Sequence, residues 1–368
     1  MAVTPAEILI PDISLAHKGK ETLIYDIKQV QKVEQSQCNV RQQLLDGLMD
    51  PISPSIPSIL LWDDIGLKLF ETLTLNPRYA PFHSELGILN QRVEEMVDII
   101  PSGSLLIELG CGSLHKTSII LSAFERQKRY VTYYALDVSR RELVEGLGKL
   151  RALFGQSKYV KLRGLLGSYE DGIGWLSQYV TTGNGHDEGD DGAGPKMVTF
   201  LWVGNSIANF APDDAAVLLQ GFSVMCESLN LSCQFLVGVH TCQDEAKVLA
   251  SYDSTEPALC DFIFHGLDQA NQHLQEEVFR RGDWICRCEF DSTDHMLRVY
   301  YEAAREVRIE LGGDHERVFN CGDRILAIVS GKWTVEDIQQ MCGGVGLEVS
   351  RSWRSVDYEC EFHAIRPQ

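Results

Sequence analysis

The residues best placed to do chemistry in this 368-residue chain begin with the stretch Ser104-Leu-Leu-Ile-Glu-Leu-Gly-Cys-Gly-Ser113. Leu105, Leu106 and Ile107 form the unbroken apolar run of a strand covered on both faces. Gly110 and Gly112 remove the Cβ where the backbone must turn and a ligand must come close. An apolar helical pattern from Lys116 to about Gln127 follows, so the free N–H groups of a helix start point into the same crevice. A second carboxylate comes 25 positions after Gly112, where Val131-Thr-Tyr-Tyr-Ala-Leu-Asp137 reads as a strand ending in an acid.

No third glycine follows at the spacing a dinucleotide fingerprint needs. Glu108-x-Gly110-x-Gly112 instead suits a ligand with no pyrophosphate, such as S-adenosylmethionine, which brings a cationic methionine portion and a ribose. In a doubly wound sheet an acid at the end of the second strand lies beside the first glycine turn. There Asp137 can accept both ribose hydroxyls. The same spacing also allows Asp137 to cap a helix beginning near Arg140.

Composition narrows the partners. With 52 acidic and 33 basic residues the net charge is −19, which repels a phosphate backbone and an anionic membrane alike. The 11 cysteines include no Cys-x-x-Cys, and the nearest pair, Cys286 and Cys288, is separated by one residue. That spacing argues against a zinc module or a disulfide framework and suits a reducing compartment. The first residues lack the pattern of a secretory signal, and no apolar run approaches the ~20 residues of a membrane span. The expectation is a cytoplasmic protein acting on a small molecule, with no metal, nucleic-acid or membrane partner; nothing indicates its oligomeric state.

Around the glycine turn, periodicity predicts strands at 104–110, 131–137, 158–164, 197–203 and 233–239. Helices at 116–127, 140–153, 171–179 and 212–228 alternate with them, the mark of a parallel α/β sheet. Helical spacing also covers 28–48, 60–70 and 83–100, and the glycine- and acid-rich stretch 181–195 reads as a surface insertion. After residue 240 the alternation breaks. Helices are expected at 244–252 and 257–274, paired strands at 286–291 and 295–303, then a helix at 334–342 and two closing strands at 347–353 and 358–365. The division expected is an N-terminal arm, 1–21, a substrate-binding domain, 22–82 plus 240–302, and a Rossmann-like sheet domain, 83–239 plus 303–368.

Several motifs in order resemble the histidine-specific N-methyltransferase family. Its members include the ergothioneine-pathway enzyme that trimethylates histidine and the fungal enzyme that N-methylates dimethylallyltryptophan. The resemblance spans roughly residues 55–365. It is carried by Leu61-Trp-Asp-Asp-Ile-Gly-Leu-Lys-Leu-Phe70, Asn76-Pro-Arg-Tyr-Ala-Pro81, the Glu108–Thr117 turn and Tyr133-Tyr-Ala-Leu-Asp-Val-Ser139. Gly164-Leu-Leu-Gly-Ser-Tyr-Glu-Asp-Gly172 and Leu201-Trp-Val-Gly-Asn-Ser-Ile-Ala-Asn-Phe-Ala-Pro212 complete it, the last being the most specific.

This resemblance implies a class I S-adenosylmethionine-dependent sheet with an inserted α+β domain. It implies that Tyr79, Gly110, Lys116, Asp137, Ser168 and Tyr169 surround the cofactor, joined by Glu108, Gly112 and Gly204. Asn209 and Tyr252 would hold an amino-acid head group and, with Tyr79, form the catalytic set. Trp62, Phe70 and Tyr300 would shape the side-chain pocket. Three positions depart from the family. Ser168 replaces an aspartate near the adenine, Ala208 replaces a glycine before Asn209, and the place of the glutamate that grips imidazole falls on Arg298. An arginine cannot accept a hydrogen bond, so Arg298 either meets a different substrate or faces solvent. The implied activity is methylation of an α-amino group, on a tryptophan-like amino acid, on histidine, or on another small amine. A catalytically idle cofactor-binding scaffold stays open beside these.

Overall fold

The computed structural model of the chain describes residues 23–28, 30–111, 115–181, 195–310 and 316–368. The arm 1–21, Gly112 and most of the 181–195 insertion lie outside the described residues. The chain opens with β1 (Leu23–Asp26), α1 (Val30–Met49), α2 (Asp64–Thr74) and α3 (Ala80–Asp98). Strands and helices then alternate as β2 (Ser104–Leu109), α4 (His115–Gln127), β3 (Val131–Asp137), α5 (Arg140–Phe154), β4 (Val160–Leu166) and α6 (Tyr169–Thr181). The alternation continues through β5 (Val198–Trp202), α7 (Pro212–Ser228) and β6 (Cys233–His240). Next come α8 (Glu245–Ser251), α9 (Pro257–Leu274), β7 (Trp284–Asp291), β8 (Met296–Ala303), β9 (Val307–Glu310), β10 (Glu316–Phe319) and β11 (Arg324–Gly331). The chain closes with α10 (Val335–Gly343), β12 (Leu347–Trp353) and β13 (Cys360–Pro367).

Eight strands form one sheet in the order β1-β4-β3-β2-β5-β6-β13-β12. The first six run parallel, while β13 is antiparallel to β6 and β12 antiparallel to β13. Every residue of β2, β5 and β6 is buried, as strands covered on both faces must be. On one face α3, α4 and α5 pack through residues such as Ile88, Phe124 and Leu147. On the other, α6, α7 and α10 pack through Leu176, Phe222 and Ile338. Strand order reverses between β2 and its neighbours β3 and β5, and a crevice outside the carboxyl ends of the strands is where such sheets bind ligands.

A second core lies apart from this sheet. Leu44 and Leu48 of α1, Leu60 and Leu61, Phe262 and Ile263 of α9, and the inner faces of β7, β8 and β11 share it. β11, β8 and β7 form a three-stranded antiparallel sheet, and β9 and β10 a separate pair.

Two parts of the expected division sit elsewhere. β1, expected with the substrate-binding domain, pairs in parallel with β4 at the edge of the large sheet. Its four residues are too short to leave a periodic signature. β9 to β11, expected with the large sheet, contribute Val307, Ile309, Phe319, Ile325 and Ala327 to the second core, so that unit continues to about Gly331. Without helices between these strands, nothing in the local pattern marks the return. The single helix expected at 60–70 is also divided, into a 3-10 turn at Ser58–Leu61 and α2. Asp63 makes the break by capping α2, accepting from the N–H groups of Ile65 (3.1 Å) and Gly66 (2.8 Å). Among the described residues no helix is long and apolar enough to cross a membrane.

Inside the main sheet, Glu108 of β2 is fully buried beneath α4. Its carboxylate accepts from the Thr117 hydroxyl at 2.7 and 2.9 Å and from the Tyr133 hydroxyl. Burial pushes this acid up to about 7, against the pull of Tyr133, Thr117 and Lys116. A raised acid holds its proton in the folded chain after the unfolded chain has released it, so stability falls as pH rises between the two values. Glu108→Gln is therefore expected to remove a decline on the order of 3 kcal/mol at most between pH ~4.5 and ~7. Denaturant unfolding at a series of pH values measures it, and parallel curves for the two proteins refute it.

Candidate active site

The turn after β2 has the shape a ligand cradle needs. Gly110 adopts φ +72°, and its N–H donates to Leu136 O at 3.0 Å. A Cβ built there would lie 2.9 Å from the Tyr169 hydroxyl, so a side chain would be strained by both backbone and neighbour. Asp137, at the end of β3, is half-buried beside this turn. Its Oδ1 accepts from Ser139 N at 2.9 Å and its Oδ2 faces the Cys111 thiol at 3.6 Å. The helix after it is capped by Ser139, which accepts from Glu142 N at 3.2 Å, so Asp137 is not the cap. Burial and the Asp137 charge push both the Cys111 thiol and the Tyr169 phenol upward, keeping them neutral. Ser168, at the start of α6, exchanges hydrogen bonds with Asp171 (3.0 and 3.2 Å). Glu108, expected at the cofactor, has its oxygens held by Thr117 and Tyr133 inside the layer under α4.

Lys116 has a partner that sequence reasoning missed. Its ammonium pairs with Glu85 of α3, both side chains under a tenth exposed, and lies 4.9 Å from the Phe82 ring centroid. Glu85 also accepts from Gly204 N at 2.7 and 3.0 Å. The pair thus ties α3 and α4 to the loop after β5, where Gly204 turns at φ +81°. A carboxylate in register with Pro81, Ile88 and Leu89 on the buried stripe of α3 was the available signal.

The loop after β5 continues into Asn205 at φ +59° and a 3-10 turn, Ser206–Asn209. Asn205 donates to Ser330 Oγ (3.2 Å) and Gly331 O (3.3 Å) and accepts from His240 N (2.8 Å). Ser330 in turn lies 3.3 Å from the Tyr252 hydroxyl, which lies 3.4 Å from the Tyr79 hydroxyl. Lys332 Nζ donates to Ser330 Oγ at 2.7 Å and to the Tyr252 hydroxyl at 3.2 Å. Burial pushes the Tyr79 phenol well up, reinforced by Tyr252 and Glu85. Burial opposes ionisation at Tyr252 too, but the Lys332 charge and hydrogen bonds with Ser330, Tyr79 and Lys332 bring it below the usual tyrosine value. Asn209, half-buried, ends the 3-10 turn in the same loop.

An aromatic row leads away from these hydroxyls. Tyr252 meets Tyr79 at 5.4 Å between ring centroids, Tyr79 meets Phe70 at 6.0 Å, and Phe70 meets Trp62 at 5.1 Å. Phe262, which the sequence did not single out, touches both Trp62 (5.2 Å) and Phe70 (5.3 Å). The row joins Trp62, Phe70 and Tyr79 to Tyr252, which lies far along the chain.

Arg298 and Tyr300 are not part of it. They share with Glu302 the less buried face of β8, opposite Leu297, Val299 and Tyr301. Arg298 pairs with Asp294, and Tyr300 sits 5.6 Å below the Arg324 guanidinium. The strand whose inner face meets Tyr252 is β11, where a bulge between Leu326 and Ile328 resets the register and Ser330 pairs with Leu297. Alternation along β8 turns Arg298 and Tyr300 away from that inner face.

Among the described residues no group of three His, Cys, Asp or Glu side chains could hold a metal. The Cβ-free turn at Gly110 and the half-buried Asp137 carboxylate beside it fit an adenosyl ligand.

The family profile described as histidine-specific methyltransferase, SAM-dependent, matches residues 40–367. The chain belongs to this family. It is an S-adenosylmethionine-dependent N-methyltransferase. It is 37% identical over 349 residues to the N-methyltransferase dtpB of Aspergillus flavus, covering 94% of this chain and 93% of that one. Ergothioneine biosynthesis protein 1 of Neurospora crassa is 33% identical across 81% of this chain and 32% of its own length. The 4-dimethylallyltryptophan N-methyltransferase ifgB of Penicillium roqueforti is 28% identical, covering 85% of this chain and 89% of that one.

In this methyltransferase the Glu85–Lys116 pair makes a specific demand on stability. Glu85→Ala leaves a buried ammonium without its partner and is expected to cost about 3–5 kcal/mol. Adding Lys116→Met should recover most of that loss. Chemical denaturation of the single and double variants checks both, and a single variant as stable as the parent contradicts the assignment.

Proposed function

We propose that this enzyme methylates the α-amino group of an amino acid with a large aromatic side chain, of the tryptophan type, in fungal secondary metabolism. One observation carries the substrate class: the aromatic row Trp62–Phe70–Phe262 runs directly into the Tyr79–Tyr252 hydroxyl pair. A flat apolar side chain lying along that row leaves its head group at the hydroxyls. Histidine is the second reading, supported by the likeness to the ergothioneine biosynthesis proteins. We place the reaction in the cytosol, a reading supported by the ten described cysteines, all of them free.

When bound, S-adenosylmethionine supplies an electrophilic methyl group on a sulfonium. Asp137 would accept the ribose hydroxyls, and the Cβ-free turn at Gly110, flanked by Tyr169, would let the ligand approach the backbone. Asn209 and Tyr252 would hold the carboxylate and amine of the substrate, Asn209 through an amide that both donates and accepts. Holding two reactants in line contributes the largest part of such a reaction, up to ~7–11 kcal/mol. Water must also be kept out. Ser139 at the sheet donates to Asp64 of α2 at 2.8 Å, joining the two cores beside an open groove lined by Trp62, Asp63, Val138 and Arg141.

The test is incubation with S-adenosylmethionine and a panel of amino acids and small amines, read by mass for one, two or three added methyl groups. Tryptophan-type substrates should be methylated in preference to histidine, and turnover of histidine alone overturns the proposed class. Binding of the cofactor with no turnover of any amine would instead support an idle scaffold. Asn209→Ala is expected to abolish methylation while leaving S-adenosylhomocysteine affinity near normal, and surviving activity removes its role. Asp137→Ala should weaken that affinity by about 1–3 kcal/mol. Calorimetric titration decides it, an unchanged value excluding the ribose contact.

A further inference from the structure

Lys332 is the buried charge that the reading above leaves unused. It is fully buried, and among the described residues no carboxylate pairs with it. Trp333 beside it is sealed as well. Its Nζ donates to Tyr252 and Ser330 and lies 4.8 Å from the Tyr252 ring centroid. A buried ammonium with no counter-ion is strongly disfavoured, and the acidic hydrogen nearest to it is the Tyr252 phenol.

We propose that Lys332 makes the Tyr252 phenol oxygen the acceptor of the proton that the substrate ammonium must lose before its nitrogen can attack. This rests on Tyr252 lying at the substrate head group. Lys332 is then a positioning residue, acting through Tyr252.

The other groups facing Tyr252 leave this role to it. Tyr79, across the pair, is held protonated by burial, and its hydroxyl lies 3.4 Å from the Tyr252 oxygen, within reach to donate to it. Ser330 is a neutral hydroxyl. His240, at the end of β6, is buried with both ring nitrogens unpartnered and stays neutral, because burial and then the Lys332 charge hold it well below its usual range. Glu85 is occupied by Lys116 and Gly204 N. Asp253, next in the chain, turns outward to Thr255 and Arg78. Tyr252 is the phenol in this group whose ionisation, opposed by burial, is brought below the ordinary tyrosine value by the Lys332 charge and its hydrogen bonds.

In the step itself, an N–H bond of the substrate ammonium breaks, its electron pair stays on nitrogen, and the proton forms an O–H bond on Tyr252. The freed lone pair then takes the methyl group, the C–S pair remaining on sulfur. Tyr252 resets by losing its proton to solvent.

The test combines an ultraviolet titration of phenol ionisation with the pH dependence of methyl transfer, in wild type, Lys332→Met, Lys332→Arg and Tyr252→Phe. One phenol of the wild type should ionise below the ordinary tyrosine value of about 10. It should vanish in Tyr252→Phe, move upward in Lys332→Met and stay low in Lys332→Arg. Because the ionised form is the active one, activity rises with pH through this ionisation. Lys332→Met should therefore lose ~10²-fold at neutral pH and recover as pH is raised, with Lys332→Arg close to wild type. A low-ionising phenol that survives in Tyr252→Phe or Lys332→Met overturns the proposal, as does a Lys332→Met defect equal at every pH. Should Lys332→Met fail to fold, Tyr252→Phe decides by the titration alone. Failure of the wild type to methylate any amine would defeat the proposed function, while the titration would still report on the pair.

Discussion

The amide of Asn205 makes three hydrogen bonds, to His240 N in the large sheet and to Ser330 and Gly331 at the end of β11, and the proposed substrate side of this protein is organised around them. A buried amide is costly unless satisfied, and here its bonds reach both the large sheet and β11. Through Ser330 the clasp reaches Tyr252, and through Tyr252 it reaches Tyr79 and the aromatic row. The left-handed backbone at Asn205, which asparagine tolerates better than most residues, aims the amide between the two cores.

The cofactor side is held by a different force. Glu85 and Lys116 are both buried, and the carboxylate also accepts the Gly204 N–H, so a charge pair fixes the loop that carries Asn205 and Asn209. Such a pair adds little net stability over apolar packing, but it penalises any arrangement that separates its partners. The two anchors meet one residue apart, at Gly204 and Asn205. That adjacency lets one short loop after β5 serve both the proposed cofactor cradle and the Tyr79–Tyr252 hydroxyl pair.

The electrostatics divide the same way. Near Gly110 and Asp137, burial keeps Cys111 and Tyr169 neutral, so Asp137 is the charged group there suited to meet a ribose. At the other side of the crevice a buried lysine does the opposite to Tyr252. Two tyrosines within hydrogen-bond range of each other are thereby pushed apart in acidity, the condition under which one donates and the other accepts.

Local pattern was enough to determine the alternating sheet, the glycine turn, the acid at the end of β3 and the family, because buried strands, turns and helix faces leave periodic signatures over a few residues. The family resemblance also singled out Tyr79 and Tyr252, whose hydroxyls the structure places 3.4 Å apart. Tertiary structure alone decided which side chains meet. Glu85 reads as one polar interruption in an amphipathic helix until Lys116 and Gly204 are placed against it. Lys332 and Ser330 lie in a stretch without a motif, and Arg298 and Tyr300 point outward because alternation along β8 gives its inner face to Leu297, Val299 and Tyr301. The four residues of β1 and the unpatterned strands β9 to β11 found their sheets only through long-range pairing. Hydrogen bonds and charge pairs between distant segments depend on three-dimensional register, and no spacing along the chain encodes that.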